Sequence, residues 1–287
     1  MSDETSPNEH PTDLPPLKES APPLPSPTVE PANVPRGLVK QIDYVLTHHE
    51  AIRESIRRDE ELWRFSRAFV VIAVAMAAIY GVVMGGTNWL QGQDALPFNQ
   101  EFLLMAVTGL KVPVLYLLTL LIVVAPIYVS STFVGSGITF SQMVALLLSS
   151  TAIMATTLAS MASVAFFFSL TTTSYSFIKL LHVIFFAYAG IAGIAYLLRG
   201  FHAIAPGAKR GTLQWIFVLW LVLYMFVGTQ MAWILRPFVG SPDLEFQLFR
   251  PKEGNFYENV FQSIGDVFDE PVLEAEPEPA QPEVIEL

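Results

Sequence analysis

The sequence predicts an all-α fold, an integral membrane bundle of five transmembrane helices with an N-terminal cytoplasmic amphipathic helix and a C-terminal interfacial helix. Three observations predict it. Hydrophobic residues make up 52% of the 287 residues and charged residues only 15%, a more apolar balance than soluble domains carry. The apolar residues are concentrated between 68 and 236, in runs of the roughly 20 residues that a bilayer crossing needs. The flanks, 1–35 and 270–287, are instead rich in Pro, Glu, Asp and Ser. Such composition buries too little apolar surface to offset chain entropy, so both tails are expected to be disordered.

After the first tail, residues 36–67 read as one long cytoplasmic helix. Leu38, Ile42, Val45, Leu46, His49, Ile52 and Ile56 recur at helical spacing and form one face. That face suits a membrane surface, a second copy of the helix, or the underside of the bundle. Its near-balanced charge argues against a strongly electrostatic lipid-binding helix. The N-terminus has no basic n-region and apolar h-region, so no cleavable signal is expected and the first span serves as the insertion signal.

The five spans are Ala68–Gly86, Val112–Phe133, Gln142–Ser169, Tyr175–Leu198 and Leu213–Leu235. Phe102–Leu110 is too short to cross alone and, ahead of Lys111 and Pro113, reads as an interfacial or re-entrant lead-in. Orientation follows from flanking Lys and Arg. Arg53, Arg57, Arg58, Arg64 and Arg67 precede the first span, and Arg199, Lys209 and Arg210 lie between the fourth and fifth. The loop 87–101 and the turn 170–173 have no basic residue. This places the N-terminus inside and the C-terminus outside, in the inner membrane of a bacterium.

After the fifth span come Arg236, Pro237 and Pro242, which stop the helix. Asn255 then suits an N-cap, with Glu258 three residues on. Phe256, Val260, Phe261, Ile264, Val267 and Phe268 follow at helical spacing, an amphipathic helix too short to cross. Residues 237–269 thus form an aromatic segment of the outer face. Phe256–Phe268, with Tyr257, is expected flat on the outer leaflet or over the mouth of the bundle, and Arg250 and Lys252 beside lipid phosphates or Asp243 and Glu245.

Ionisable residues inside a membrane are costly and mark functional candidates. No Asp or Glu occurs from Phe102 to Pro242, which disfavours transport coupled through an intramembrane carboxylate. Lys111, Lys179 and His182 remain. The two lysines either snorkel to the outer interface, flank an outward-facing anionic site, or pair with Asp243 or Glu245. His182 reads as a hydrogen-bonded contact between helices. Hydroxyls crowd the third span, at Ser149, Ser150, Thr156, Thr157 and Ser160. They either line a polar path or bond their own helix. Small residues recur every four positions, as Ala73, Ala77, Gly81 and Gly85 in the first span and Thr151, Ala155, Ala159 and Ser163 in the third. That spacing permits close helix approach in lipid, within the bundle or between copies.

Several function classes are disfavoured. The net charge is −10, and between Asp243 and Leu287 twelve acidic residues face two basic ones, so nucleic acid is not expected as a partner. There is no cysteine, and His48 and His49 lack metal-ligand spacing, so no metal or cofactor is expected. No nucleophile elbow or phosphate-binding Gly loop is present.

Two runs, FVGTQMAWILRPFVGSPDLEFQLFRPKEGNFYENVF (Phe226–Phe261) and FFFSLTTTSYSFIKLLHV (Phe166–Val183), resemble a family of uncharacterised bacterial polytopic membrane proteins. The resemblance covers roughly Ala68–Phe261 and implies the multi-span fold without a mechanism. The five-span plan with a cytoplasmic tail is also similar to Yip1-type membrane proteins, in topology alone, since the Asp-Leu-Tyr-Gly-Pro run of that family is absent here. The expected role is non-enzymatic: a scaffold, assembly or membrane-organising component whose partners are the lipid bilayer and another protein or a second copy. The alternative is a small channel or transporter for a neutral or anionic solute, using the hydroxyl-rich third span.

Overall fold

A computed structural model describes residues 37–59, 62–87, 98–133, 135–172, 174–204, 210–235 and 256–269. All regular structure among them is helical: α1 (Leu38–Thr47), α2 (His49–Arg57), α3 (Leu62–Gly85), α4 (Phe98–Phe133), α5 (Phe140–Ser160), α6 (Ala162–Thr171), α7 (Tyr175–Ile204), α8 (Arg210–Leu235) and α9 (Phe256–Asp269). Five stretches are long and apolar enough to cross a membrane: Leu62–Gly85, Phe102–Phe133, Phe140–Thr171, Ser176–Ile204 and Val218–Leu235. Large apolar side chains such as Val71, Leu121, Ile191 and Val222 stand exposed along them. Apolar surface on this scale is tolerated against lipid and not against water. The chain is a multi-pass membrane protein.

The spans pack in the order α8–α4–α3–α5–α7, with α3 at the centre. The small residues of α3 explain that position. A Cβ on Gly81 would lie 2.6 Å from the Thr108 carbonyl oxygen, and one on Gly85 would lie 2.9 Å from the Leu104 carbonyl oxygen. Only glycine lets the α3 and α4 backbones meet there, and dispersion contacts replace the hydrophobic drive that lipid does not supply. Ala73 and Ala77 are buried on the same helix. This stripe is used within the chain.

Two expectations need correction. Phe102–Leu110 is not a separate lead-in, because α4 runs unbroken from Phe98 through Pro113 and Pro126 to Phe133. Each proline removes one backbone bond, but a helix end in lipid strands several more polar groups. Contact with Gly81 and Gly85 holds this first part of α4 in place. Second, residues 36–67 are not one helix. The chain breaks at His48 (φ −108°, ψ 43°) and turns again at Asp59 (φ 60°) before α3. The third span runs from Phe140 to Thr171, as expected, with one turn at Met161 between α5 and α6. The buried set shifts there to Ala162, Ala165 and Ser169, leaving Ala159 half-buried and Ser163 exposed.

Of the three placements open to the N-terminal face, it packs under the bundle. Val45, Ile52 and Ile56 are buried, whereas Leu46 is exposed. The start of α5 fastens α2. Gly135 and Gly137 both adopt φ 69° to turn the chain out of α4, a conformation that suits glycine. Thr139 and Gln142 then form a reciprocal capping box. Gln142 Nε2 also donates to the Arg57 carbonyl at 3.1 Å. At the opposite end of the bundle, α9 packs on α7 and α8. Ser176 Oγ donates to Asp266 Oδ2 at 3.3 Å, and the Thr229 and Tyr257 hydroxyls lie 3.4 Å apart. Because α5 and α7 are consecutive spans, α2 at the start of α5 and α9 at the start of α7 lie at opposite ends.

Candidate functional site

The interior polar groups gather where α3, α4 and α7 meet. Tyr80 Oη and His182 Nδ1 are 2.6 Å apart and buried, a hydrogen bond whose direction follows the imidazole tautomer. Their rings stand perpendicular with centroids 5.6 Å apart. Phe186, one turn further along α7, meets Tyr80 edge-on at 5.7 Å and lies 6.2 Å from Tyr116 of α4. Tyr116 and His182 are among the buried side chains, at 4% and 1% exposure. His182 Nε2, Tyr116 Oη and Thr119 Oγ1 are buried and make no hydrogen bond. A polar atom so placed forfeits solvation without compensation. The His182 and Tyr116 atoms lie by the rings of Tyr80 and Phe186, whereas the Thr119 side chain lies on the other side of α4, against Gly228 of α8.

The cluster contains His182 as the sequence expected, in contact with a neighbouring helix. Tyr80, Tyr116 and Thr119 were not singled out. Their signal was available: a tyrosine deep in an apolar run brings a hydroxyl that needs a partner. Lys179 lies one turn before His182, half-buried. The negative charge of Asp266 on α9 acts on it, as α9 packs on the end of the bundle, one of the two placements expected for that helix. Lys111 does not begin its span. Gly109 lies against Val82 and Ala78 of α3, so Lys111 is level with the middle of the first span.

No protein-family model, curated protein or solved structure matches this chain.

The hydroxyls of the third span are arranged differently from a lined path. Thr156 Oγ1 donates to the Ala152 carbonyl at 2.8 Å and Ser160 Oγ to the Thr157 carbonyl at 2.6 Å. Ser149 likewise bonds Leu146 of its own helix. Ser150 differs, donating across to the Gly193 carbonyl of α7 at 2.8 Å. Thr157 is half-buried and Ser160 exposed, while Ala155 is buried. Tyr257 is exposed on α9 beside Phe261 and Ile264, while Ser263 is fully buried. The face of α9 turned to the bundle therefore includes a serine, and large apolar side chains face away. Arg236, Arg250, Lys252, Asp243, Glu245 and Asn255 lie outside the described residues, as does the side chain of Phe256.

Proposed function

We propose that this is a non-enzymatic scaffold or assembly component of the bacterial inner membrane, with its N-terminus in the cytoplasm and its C-terminus outside. The observation that carries this reading is α9. It is fastened to the end of the bundle by Asp266 and Tyr257, yet directs Phe261, 72% exposed, and Ile264 away from it. A fixed apolar ridge at a membrane boundary suits a partner's apolar surface together with lipid. The packing of α3 supports the same reading, since the small-residue stripe is occupied within the chain and leaves association to the ends. Crosslinking from native membranes tests it. A discrete crosslinked partner is expected through α9, and Phe261→Asp should abolish that band while leaving the protein in the membrane. Loss of no band on this substitution, with the protein folded, removes the scaffold role of α9.

A second reading, a channel or transporter for a small neutral solute, draws on the unbonded polar atoms of His182 and Tyr116. It rests on α4 and α7 in place of the hydroxyls of the third span. Solute flux into proteoliposomes tests it: flux that falls in both His182→Ala and Tyr116→Phe supports transport, and equal flux in protein-free vesicles ends it.

A further inference from the structure

The second concentration of unsatisfied polar atoms lies elsewhere, beneath α2 where it crosses α5 and α7. The ring of His49 meets that of Tyr196 edge-on at 5.5 Å. His49 Nδ1 and Tyr196 Oη are both buried and unbonded. Tyr196 is 7% exposed. Ser149 lies nearby but gives its proton to the Leu146 carbonyl at 2.8 Å, so it does not donate to the tyrosine oxygen. Arg53 follows His49 by one turn and its side chain is only 16% exposed. Its Nε donates to the His49 carbonyl at 3.2 Å. One terminal nitrogen reaches Glu50 at 3.2 Å, a carboxylate whose side chain is 82% exposed. A guanidinium has five N–H donors, so Arg53 retains capacity after these two contacts. Arg199 follows Tyr196 by about one turn on α7 and is exposed near the end of that helix.

The charges around this spot are Arg53, Arg199 and Glu50, with His49 the titratable group between them. With His49 neutral they leave an excess of positive charge. Balanced charge along the whole N-terminal helix concealed this, because Glu54 is committed to Arg57 and Arg58. A largely buried guanidinium calls for a compensating anion, and Glu50 offers one mainly exposed contact. Two guanidiniums, a phenol and an imidazole suit an oxyanion, with charge-assisted bonds from arginine and a neutral bond from tyrosine. Arg199 is near the end of its span, where lipid phosphates lie.

We propose that Arg53 and Arg199, with the contacting His49 and Tyr196 rings beside them, bind a phosphate group, and that its source is an anionic phospholipid. Bound there, the headgroup would join α2 to α7 and make docking of the N-terminal helices depend on lipid composition.

The test uses the full-length protein purified in detergent and then exchanged into mixed phosphatidylglycerol–phosphatidylcholine bilayers. Native mass spectrometry should show phosphatidylglycerol retained over phosphatidylcholine. Arg53→Gln with Arg199→Gln should lower that preference about tenfold, as loss of a charge-assisted contact predicts. Tyr196→Phe removes only an unbonded hydroxyl, leaves the ring contact with His49, and should lower retention by a smaller factor. Arg64→Gln, a charge change outside the site, should leave it unaltered. Inorganic phosphate, added without lipid, distinguishes the sources. Thermal stabilisation by phosphate that is lost in Tyr196→Phe, with no preference between the lipids, assigns the site to a free anion. Absence of both lipid preference and phosphate stabilisation, or unchanged retention in the folded double variant, overturns the proposal.

Discussion

At the residue scale, two side-chain positions control how the spans meet. Gly81 is the tighter of the two backbone contacts between α3 and α4, with a Cβ position 2.6 Å from the Thr108 carbonyl oxygen. A backbone atom cannot swing aside as a flexible side chain can. Gly81→Leu should therefore separate the helices and cost about 1–3 kcal/mol, the range for overpacking a filled interior. Thermal unfolding in detergent micelles reads this out, and an unchanged midpoint would contradict the close approach. Tyr80 is the other. Tyr80→Phe removes its hydroxyl and leaves a second nitrogen of His182 unbonded. A polar contact between membrane helices contributes about 0.6–1.7 kcal/mol, and the same unfolding measurement should show a loss of that order. Tyr80→Ala should cost more, because it also removes the ring that meets Phe186 at 5.7 Å.

At the scale of elements, docking of α2 is the part that responds to pH. Burial holds His49 below its ordinary value of 6.5, and the neighbouring Arg53 adds to the effect. A folded-state value below the unfolded one means that the docked form favours neutral imidazole. Docking stability from this group is complete above about pH 6.5 and declines as pH falls through the lowered value. Glu54 does not confuse the test: its hydrogen bonds with Arg57 and Arg58 hold it at about 2, against an ordinary 4.5, so its contribution is lost only in that lower window. Amide exchange in α1 and α2 should accelerate between about pH 7.5 and about pH 5.5, the histidine range, after correction for intrinsic rates. His49→Gln should flatten the dependence. Acceleration that persists in this variant would point to another group.

For the whole molecule, the decisive relation is that α2 and α9 lie at opposite ends of the five spans. The basic flanks before α3 and around Lys209 favour the cytoplasm for the end that carries α2. A reporter active only outside the cytoplasm should therefore be active when fused after Leu287 and silent when fused before Met1. Activity at both positions, or at neither, would mean that the number of crossings is even. The relation also bears on the two proposed binding surfaces. A ridge on α9 and a phosphate site under α2 would place the protein contact and the phosphate contact on different faces of the membrane.

What the sequence by itself determined was the class of fold, the number of crossings and the short amphipathic helix at Phe256–Asp269. These follow from apolar run length and local periodicity, which depend on near neighbours in the chain. It also identified the small residues of α3 and the candidacy of His182. Tertiary structure alone decided that Gly81 and Gly85 serve α4, that His182 meets Tyr80, and that Ser176 meets Asp266. It also decided that α4 continues through Pro113, where periodicity and proline rules favour a break. Each of these joins residues distant in sequence or sets a local propensity against packing. In lipid the outcome is governed by which backbones can approach and which polar atoms can find partners, and neither is encoded in a single run of residues.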